Sequence, residues 1–148
     1  MKIVTISRRL LKNFQQDPEV LKKEGRPCLL VVRLKYKGDV LPFAVPLRSN
    51  ISAVTPKGQY FALPPRSGTR SGNHHGLHYI KMMPMAKKYI VRYRTENDEF
   101  ATIVQSVVNQ NEKRIITECQ KYLDDYSNGY RPLYSTDIDL LLTILKSL

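Results

Sequence analysis

The hydrophobic pattern of this 148-residue chain changes period once, near residue 97, and that change constrains its fold most. Up to about Arg94, apolar residues alternate in short runs punctuated by Gly and Pro. From Asn97 or Asp98 onward, Phe100, Ile103, Val104, Val107, Val108, Ile115, Cys119 and Tyr122 follow helical spacing. Strands in one part and helices in the other predict an α+β domain, with one sheet built antiparallel from sequential hairpins.

In the first part, residues 1–6 read as a strand with Ile3 inward. Ser7 caps a short helix, Arg8–Phe14, whose Leu10, Leu11 and Phe14 share a face. Asp17-Pro18 and Gly25-Arg26-Pro27 punctuate the next stretch, and residues 19–24 between them are expected to make one helical turn. Residues 28–37 form the clearest strand, and Gly38-Asp39 turns it into a return strand over 40–47. Pro42 and Pro46 cannot donate to a ladder, so this strand is expected at an edge or with bulges. A loop over 48–58, short strands over 59–63 and 77–82, and a further alternating run over 88–94 complete this part. The helical part is one long helix or two in line, ending near Asn128-Gly129. Ser135 or Thr136 is expected to cap a last helix filled by residues 138–145. Five or six strands with flanking helices in one domain, 1–148, are the expectation, with no repeat.

Charge decides what such a domain meets. The formal net charge is +11, and residues 1–94 carry 19 Lys and Arg against 4 Asp and Glu, while residues 95–148 carry 5 against 9. Between Asp39 and Glu96 stand nine cations and no carboxylate. A field polarised in this way draws a polyanion to one face, and nucleic acid is the usual one. No apolar run has membrane-spanning length, no secretion signal is visible, and Cys28 and Cys119 are too few for a disulfide framework or zinc site. A cytoplasmic protein with no cofactor and no membrane contact is expected.

The acid-free stretch also bears on chemistry. Two-metal nucleases hold their ions with clustered carboxylates, and residues 48–94 supply none. His74 and His78 stand four apart, but Gly72, Gly76 and the strand-like Tyr79-Ile80 oppose a helix there, and a third ligand would have to come from far away. RNA can be cut without metal, because its own 2′-hydroxyl attacks the adjacent phosphorus. The protein then moves two protons and stabilises the added charge on the phosphorane. His74, His75 and His78 are the groups titrating near neutrality. Arg48, Lys57, Arg66, Arg70 and Lys81 are candidate phosphate clamps, with Arg8, Arg9, Lys87 and Lys88 as further cationic contacts. Tyr60, Phe61 and Tyr79 could stack on unpaired bases. Each has a plainer reading: Tyr79 as core, and His74 and His75 as solvated loop residues.

Three short blocks carry a resemblance. Met1-Lys2, Thr5-Ile6-Ser7 and the helix after them, then Val45-Pro46-Leu47-Arg48-Ser49 behind a long hairpin, then Gly76-Leu77, Ile80-Lys81 and Met83-Pro84 occur in the order and approximate spacing of the ToxN/AbiQ-like toxins of bacterial type III toxin–antitoxin systems. The match covers residues 1–91, and the small size and basic histidine loop resemble the CptN branch. The resemblance implies a metal-independent endoribonuclease on a fold related to the MazF/Kid toxins. It implies a small repeated pseudoknot RNA as antitoxin, cut from its precursor by the toxin it inhibits. Cellular or phage RNA would be the substrate, and RNA-mediated symmetric assembly with other toxin copies is implied.

Carried over by position, Ser49 falls on the family's active-site serine and Arg48 stands where the family has threonine. Ile51 replaces a lysine two residues past the serine, so Lys57 is the substitute candidate. Arg26 lies near another family lysine, offset by about one position. The family's nearby tyrosine has no counterpart, which leaves the acid–base role to a histidine, His75 ahead of His74. The expected site is therefore Ser49, Arg48, His75 and Lys57 for chemistry, with residues 66–75 as a flap over the groove. A non-catalytic RNA-binding regulator with the same groove is the alternative, and a ribosome- or DNA-associated structural protein a third.

Overall fold

The computed structural model describes residues 1–93 and 98–148. The elements are β1 Lys2–Ile6, α1 Arg8–Phe14, β2 Cys28–Tyr36, β3 Asp39–Ile51, β4 Tyr60–Leu63, β5 His74–His78, β6 Met83–Pro84, β7 Ile90–Arg92, α2 Glu99–Gln110, α3 Glu112–Ser127 and α4 Ile138–Ser147. The expected strand end at Arg94 and helix start at Asn97 lie outside the described residues. The strands form one antiparallel sheet in the order β4-β5-β3-β2-β1-β7, with the two-residue β6 also pairing β3. This is the α+β arrangement the change of period predicts.

The sheet buries both faces, which is why its strands read apolar almost throughout. On one face Leu29, Val31, Phe43, Val45, Leu47, Phe61, Leu63 and Leu77 pack under Val104 and Val108 of α2 and Ile115, Cys119 and Leu123 of α3. On the other, Val4, Cys28, Ala44 and Met83 pack under Leu10, Leu11 and Phe14 of α1 and Leu141 and Ile144 of α4. Helix α1 starts where Ser7 accepts from the Leu10 amide at 3.2 Å. Among the described residues no helix is long and apolar enough to cross a membrane.

β3 is the axis of the sheet, and its two prolines explain how. Pro42 lies opposite the register irregularity between Val31 and Leu34 of β2. Pro46 falls between the β6 pairing at Phe43 and Ala44 and the β5 pairing that begins at Leu47. Each proline thus stands at a break in pairing: Pro42 at the end of the β6 ladder, where its carbonyl still accepts from the Met85 amide at 2.9 Å, and Pro46 between the β6 and β5 ladders.

Several boundaries differ from expectation. β3 runs on to Ile51, so Arg48 and Ser49 are strand residues and not loop. Residues 19–24 form turns and no helical turn, because buried Asp17 accepts from the Glu19 amide at 2.9 Å and holds the chain there. The strand expected over 77–82 is β5, His74–His78, followed by a 3₁₀ turn over Tyr79–Lys81. Its early start depends on Gly76: a Cβ there would run into the Phe61 carbonyl oxygen of β4. The long helical stretch is two helices meeting at Asn111. Asp137, and not Ser135 or Thr136, caps α4, accepting from the Leu140 amide at 3.1 Å. Thr136 is instead buried, donating its hydroxyl to the Met82 carbonyl at 2.6 Å.

Candidate functional site

Alternation along β5 sorts the histidines. Leu77 pairs with Leu47 and Phe61 in the core under α2 and α3, and His75 shares that face. His75 is 2% exposed, its Nδ1 lies 2.9 Å from the Pro64 carbonyl, and its ring is tilted against Phe100 of α2 at 5.3 Å. His74, Gly76 and His78 face the other way, where Gly76 pairs with Arg48. The expectation of His75 and Arg48 in one groove is corrected by this register: the sheet stands between them. Burial and the charge of Arg66 push the His75 pKa below its usual value, while its Pro64 contact pulls upward.

Arg48 meets His78 instead. Its Nη1 lies 3.3 Å from His78 Nδ1. A guanidinium only donates, so His78 accepts through Nδ1 and carries its hydrogen on Nε2. Burial first, then the charges of Arg48 and Lys81, drive the His78 pKa down to about 3, so the ring is neutral at ordinary pH. His78 is 6% exposed, and its Nε2 has no partner among the described residues. A neutral acceptor orients Arg48 without cancelling its charge. That is what a cation intended for a phosphate requires, and it suits a segment free of carboxylates.

These residues form the floor of a cleft of about 410 Å³. Arg48, His78, Ile80 and Lys81 lie at its base, and Asn50, Ser52, Thr55 and Gln59 line one side. Glu19 and the pair Leu133 and Tyr134 line the rest. Glu19 is the one carboxylate among these lining residues, and it is engaged: buried Lys81 donates to its carbonyl at 3.0 Å and its Oε1 at 3.1 Å. Asp17 ties two walls together, accepting from Glu19 N and, at 2.7 Å, from Asp137 N. Outside this lining, Arg26 is a second half-buried guanidinium in the field of Arg48, donating to the Leu47 carbonyl at 3.2 Å. Burial and the neighbouring Arg48 both lower its pKa, as burial lowers that of Arg48. Two desolvated guanidiniums in each other's field favour an arriving anion.

Ser49 sits half-buried in a bulge: Arg48 pairs with Gly76 and Ile51 with His74, leaving one extra residue on β3. Bulges re-aim side chains and recur beside active sites. Its neighbour Asn50, which lines the cleft, holds the 66–75 loop. It donates to Gly68 O at 2.9 Å and accepts from Arg70 N at 2.7 Å and Asn73 Nδ2 at 3.3 Å. The expected flap is thus pinned to β3 at three points. Arg66 lies over the Phe100 ring, Arg70 is exposed, and Tyr60 stacks on His74 at 4.8 Å. Phe61 and Tyr79 are core, the latter donating to Glu118 at 2.8 Å, so neither is open to a base.

The remaining candidates lie on other surfaces. Lys57 is exposed on the 3₁₀ turn before β4, Arg8 pairs with Glu24 at 2.8 Å, and Arg9, Lys87 and Lys88 are exposed. None of them lines the cleft, and neither Ser49 nor Arg26 is among its lining residues, although Ser49 adjoins Arg48 in sequence and Arg26 lies within its field. Sequence reasoning missed Glu19, Gln59, Leu133 and Tyr134. The last two had a signal, an aliphatic and an aromatic residue beside Arg131-Pro132 in an otherwise polar linker. Among the described residues no three His, Cys, Asp or Glu side chains cluster as metal ligands would.

No family model matches the sequence, and no curated protein matches it. Solved structures do. A chain from work on a processed non-coding RNA that regulates a bacterial antiviral system superimposes with a TM-score of 0.72 at 15% identity, covering 100% of this chain and 99% of that one. A second, from work on bacterial type III toxin–antitoxin systems and selective toxin inhibition by a non-coding RNA pseudoknot, gives 0.75 at 18%, covering 99% and 96%. AbiQ, a lactococcal anti-phage endoribonuclease belonging to the type III toxin–antitoxin system, gives 0.73 at 14%, covering 99% and 97%. The likeness runs from end to end, and the fold is common to all three.

Proposed function

We propose that this chain is a metal-independent endoribonuclease toxin of a type III toxin–antitoxin system. The observation that supports the reading is the end-to-end fold likeness to structures from work on type III toxin–antitoxin and antiviral systems, one of them an endoribonuclease, in a chain whose cleft gathers Arg48, Lys81 and neutral His78. Its antitoxin is a small repeated pseudoknot RNA, which the toxin processes and which inhibits it within a symmetric assembly. Its substrates are cellular or phage RNA in the cytoplasm.

Cleavage proceeds by attack of the 2′-hydroxyl on the adjacent phosphorus with breakage of the P–O5′ bond, the 2′-hydroxyl proton passing through cleft water to the departing 5′-oxygen, to leave a 2′,3′-cyclic phosphate and a free 5′-hydroxyl. Arg48, held by His78, meets the non-bridging oxygens as the phosphorane gains charge, where a preorganised donor is worth most. Ser49, next to Arg48 in the bulge and outside the cleft lining, reaches the phosphate only if the substrate extends past that lining. Lys81 joins when the phosphate displaces Glu19. Arg26 adds field, and exposed Lys57 and Arg70 hold the flanking backbone. His78 is locked as an acceptor and does not titrate near neutrality. His75 would need the 64–73 loop to open before it could act as acid or base.

The test is growth arrest and RNA decay on expression of the protein and its variants in bacteria. Arg48→Ala and Ser49→Ala are each expected to relieve arrest and to lower cleavage by about 10²-fold or more. If both variants arrest growth like the parent, the site assignment is wrong. A binding-only regulator would predict weaker RNA affinity from Arg48→Ala and no cleavage from any form.

A further inference from the structure

The cationic half of the chain accounts for phosphate, but its expected stacking aromatics are occupied: Phe61 and Tyr79 are core, and Tyr60 is stacked on His74. The cleft has its free aromatic from the acidic half. Leu133 is 77% exposed and Tyr134 63%, although both line the same cleft as Arg48 and Lys81. Apolar side chains this open, beside two cations, suit a partner with both a flat apolar face and a negative charge.

Their position is set by the structure around them. The linker is fastened on one side where Gln59 donates to the Tyr130 hydroxyl at 3.0 Å and Arg131 to Asp139 at 2.9 Å. On the other side the Thr136 amide donates to Ile80 O at 2.8 Å, and its hydroxyl reaches Met82 O. Between these ties the Ser135 amide closes a turn onto Pro132 O at 3.1 Å, and Tyr134 takes φ 69°, a conformation uncommon for a tyrosine. The ring is thereby directed to the cleft from an anchored turn.

We infer that Tyr134, backed by Leu133, is the stacking platform for an unpaired nucleobase of single-stranded RNA, whose adjacent phosphate meets Arg48 and Lys81. The inference rests on the RNA-cleaving reading and names the form of substrate the cleft accepts. A base in a duplex offers no free face to the tyrosine, so the platform selects unpaired RNA. Every base has such a face, so the platform tolerates sequence.

The probe is a fluorescently labelled, mixed-sequence 2′-O-methyl oligonucleotide, single-stranded and uncleavable because its nucleophile is blocked, with the same sequence as a duplex for comparison. Binding is measured across salt concentrations. Tyr134→Gly removes the ring and suits φ 69°, so thermal stability is expected to hold or rise while single-strand affinity falls on the order of tenfold. The salt slope stays as in the parent, and Tyr134→Phe binds like the parent. Arg48→Ala is the control for the groove itself, expected to lower both affinity and salt slope. If Arg48→Ala weakens binding while Tyr134→Gly stays within twofold of the parent, the platform is refuted and the groove stands. If Tyr134→Phe loses as much as Tyr134→Gly, a hydroxyl contact and not stacking is responsible, and the platform is again refuted. If neither Arg48→Ala nor Tyr134→Gly weakens binding, the groove and the platform fall together.

Discussion

At the residue scale the cleft depends on one contact, Arg48 to His78 Nδ1. Asparagine places an acceptor near where Nδ1 stands, so His78→Asn is expected to keep most of the RNA cleavage, while His78→Leu loses about tenfold or more with Arg48 left unguided. Equal loss in both variants, measured as kcat/KM on one RNA, would mean that the ring matters only as packing. The same histidine makes stability depend on pH. Its folded pKa, about 3, lies far below the ordinary value of 6.5, so between those limits the unfolded chain takes up a proton that the folded chain excludes. Stability is therefore full above about pH 6.5 and declines as pH falls toward 3, by up to about 1.4 kcal/mol for each unit. His78→Asn removes that contribution. Melting curves at pH 7 and pH 5 are expected to separate less for the variant than for the parent, and parallel behaviour would refute the buried neutral ring. The candidate residues were legible one by one, because charge and residue type mark Arg48, Ser49 and Lys81. Their grouping was not. Whether His75 or His78 shares a face with Arg48 depends on where β5 begins, and a boundary shifted by three residues exchanged the roles of the two.

At the element scale, β5 and β3 place the site, and each has a position that tests the placement. Gly76 admits the close approach of β4 and is paired with Arg48. Gly76→Ala is expected to cost about 1–3 kcal/mol in thermal unfolding, as overpacking against backbone does. A stability unchanged within a few tenths would contradict the packing described. Asn50 is the clasp between β3 and the basic loop. Asn50→Ala should speed proteolysis within residues 66–73 while leaving the melting temperature within a few degrees, since the clasp lies outside the core. The order of elements, the short helix Arg8–Phe14, the hairpin of β2 and β3 and the change to helices were all readable, because period, capping and turn residues are local signals. The continuation of β3 through Arg48 was not, since Arg-Ser-Asn carries no strand preference and the pairing of Arg48 comes from Gly76 of β5, 28 residues later. Asp137 as the cap of α4 was missed in favour of Ser135 and Thr136 for a similar reason: the Thr136 hydroxyl is taken by Met82, across the fold.

At the scale of the molecule, the uneven charge and the shared fold converge. The cations of residues 1–94 supply the floor of the cleft, while the C-terminal part, net acidic, supplies an apolar rim at Leu133 and Tyr134. A reading from charge alone therefore finds the phosphate and overlooks the base. The central claim is that this cleft cuts RNA with the substrate's own 2′-hydroxyl, and the most direct measurement is of the product ends after incubation of the purified protein with RNA in excess chelator. Undiminished cleavage in chelator, 2′,3′-cyclic phosphate and 5′-hydroxyl ends, and loss of both products with Arg48→Ala are expected. Cleavage abolished by chelator, or fragments ending in 3′-hydroxyl and 5′-phosphate, would contradict that claim.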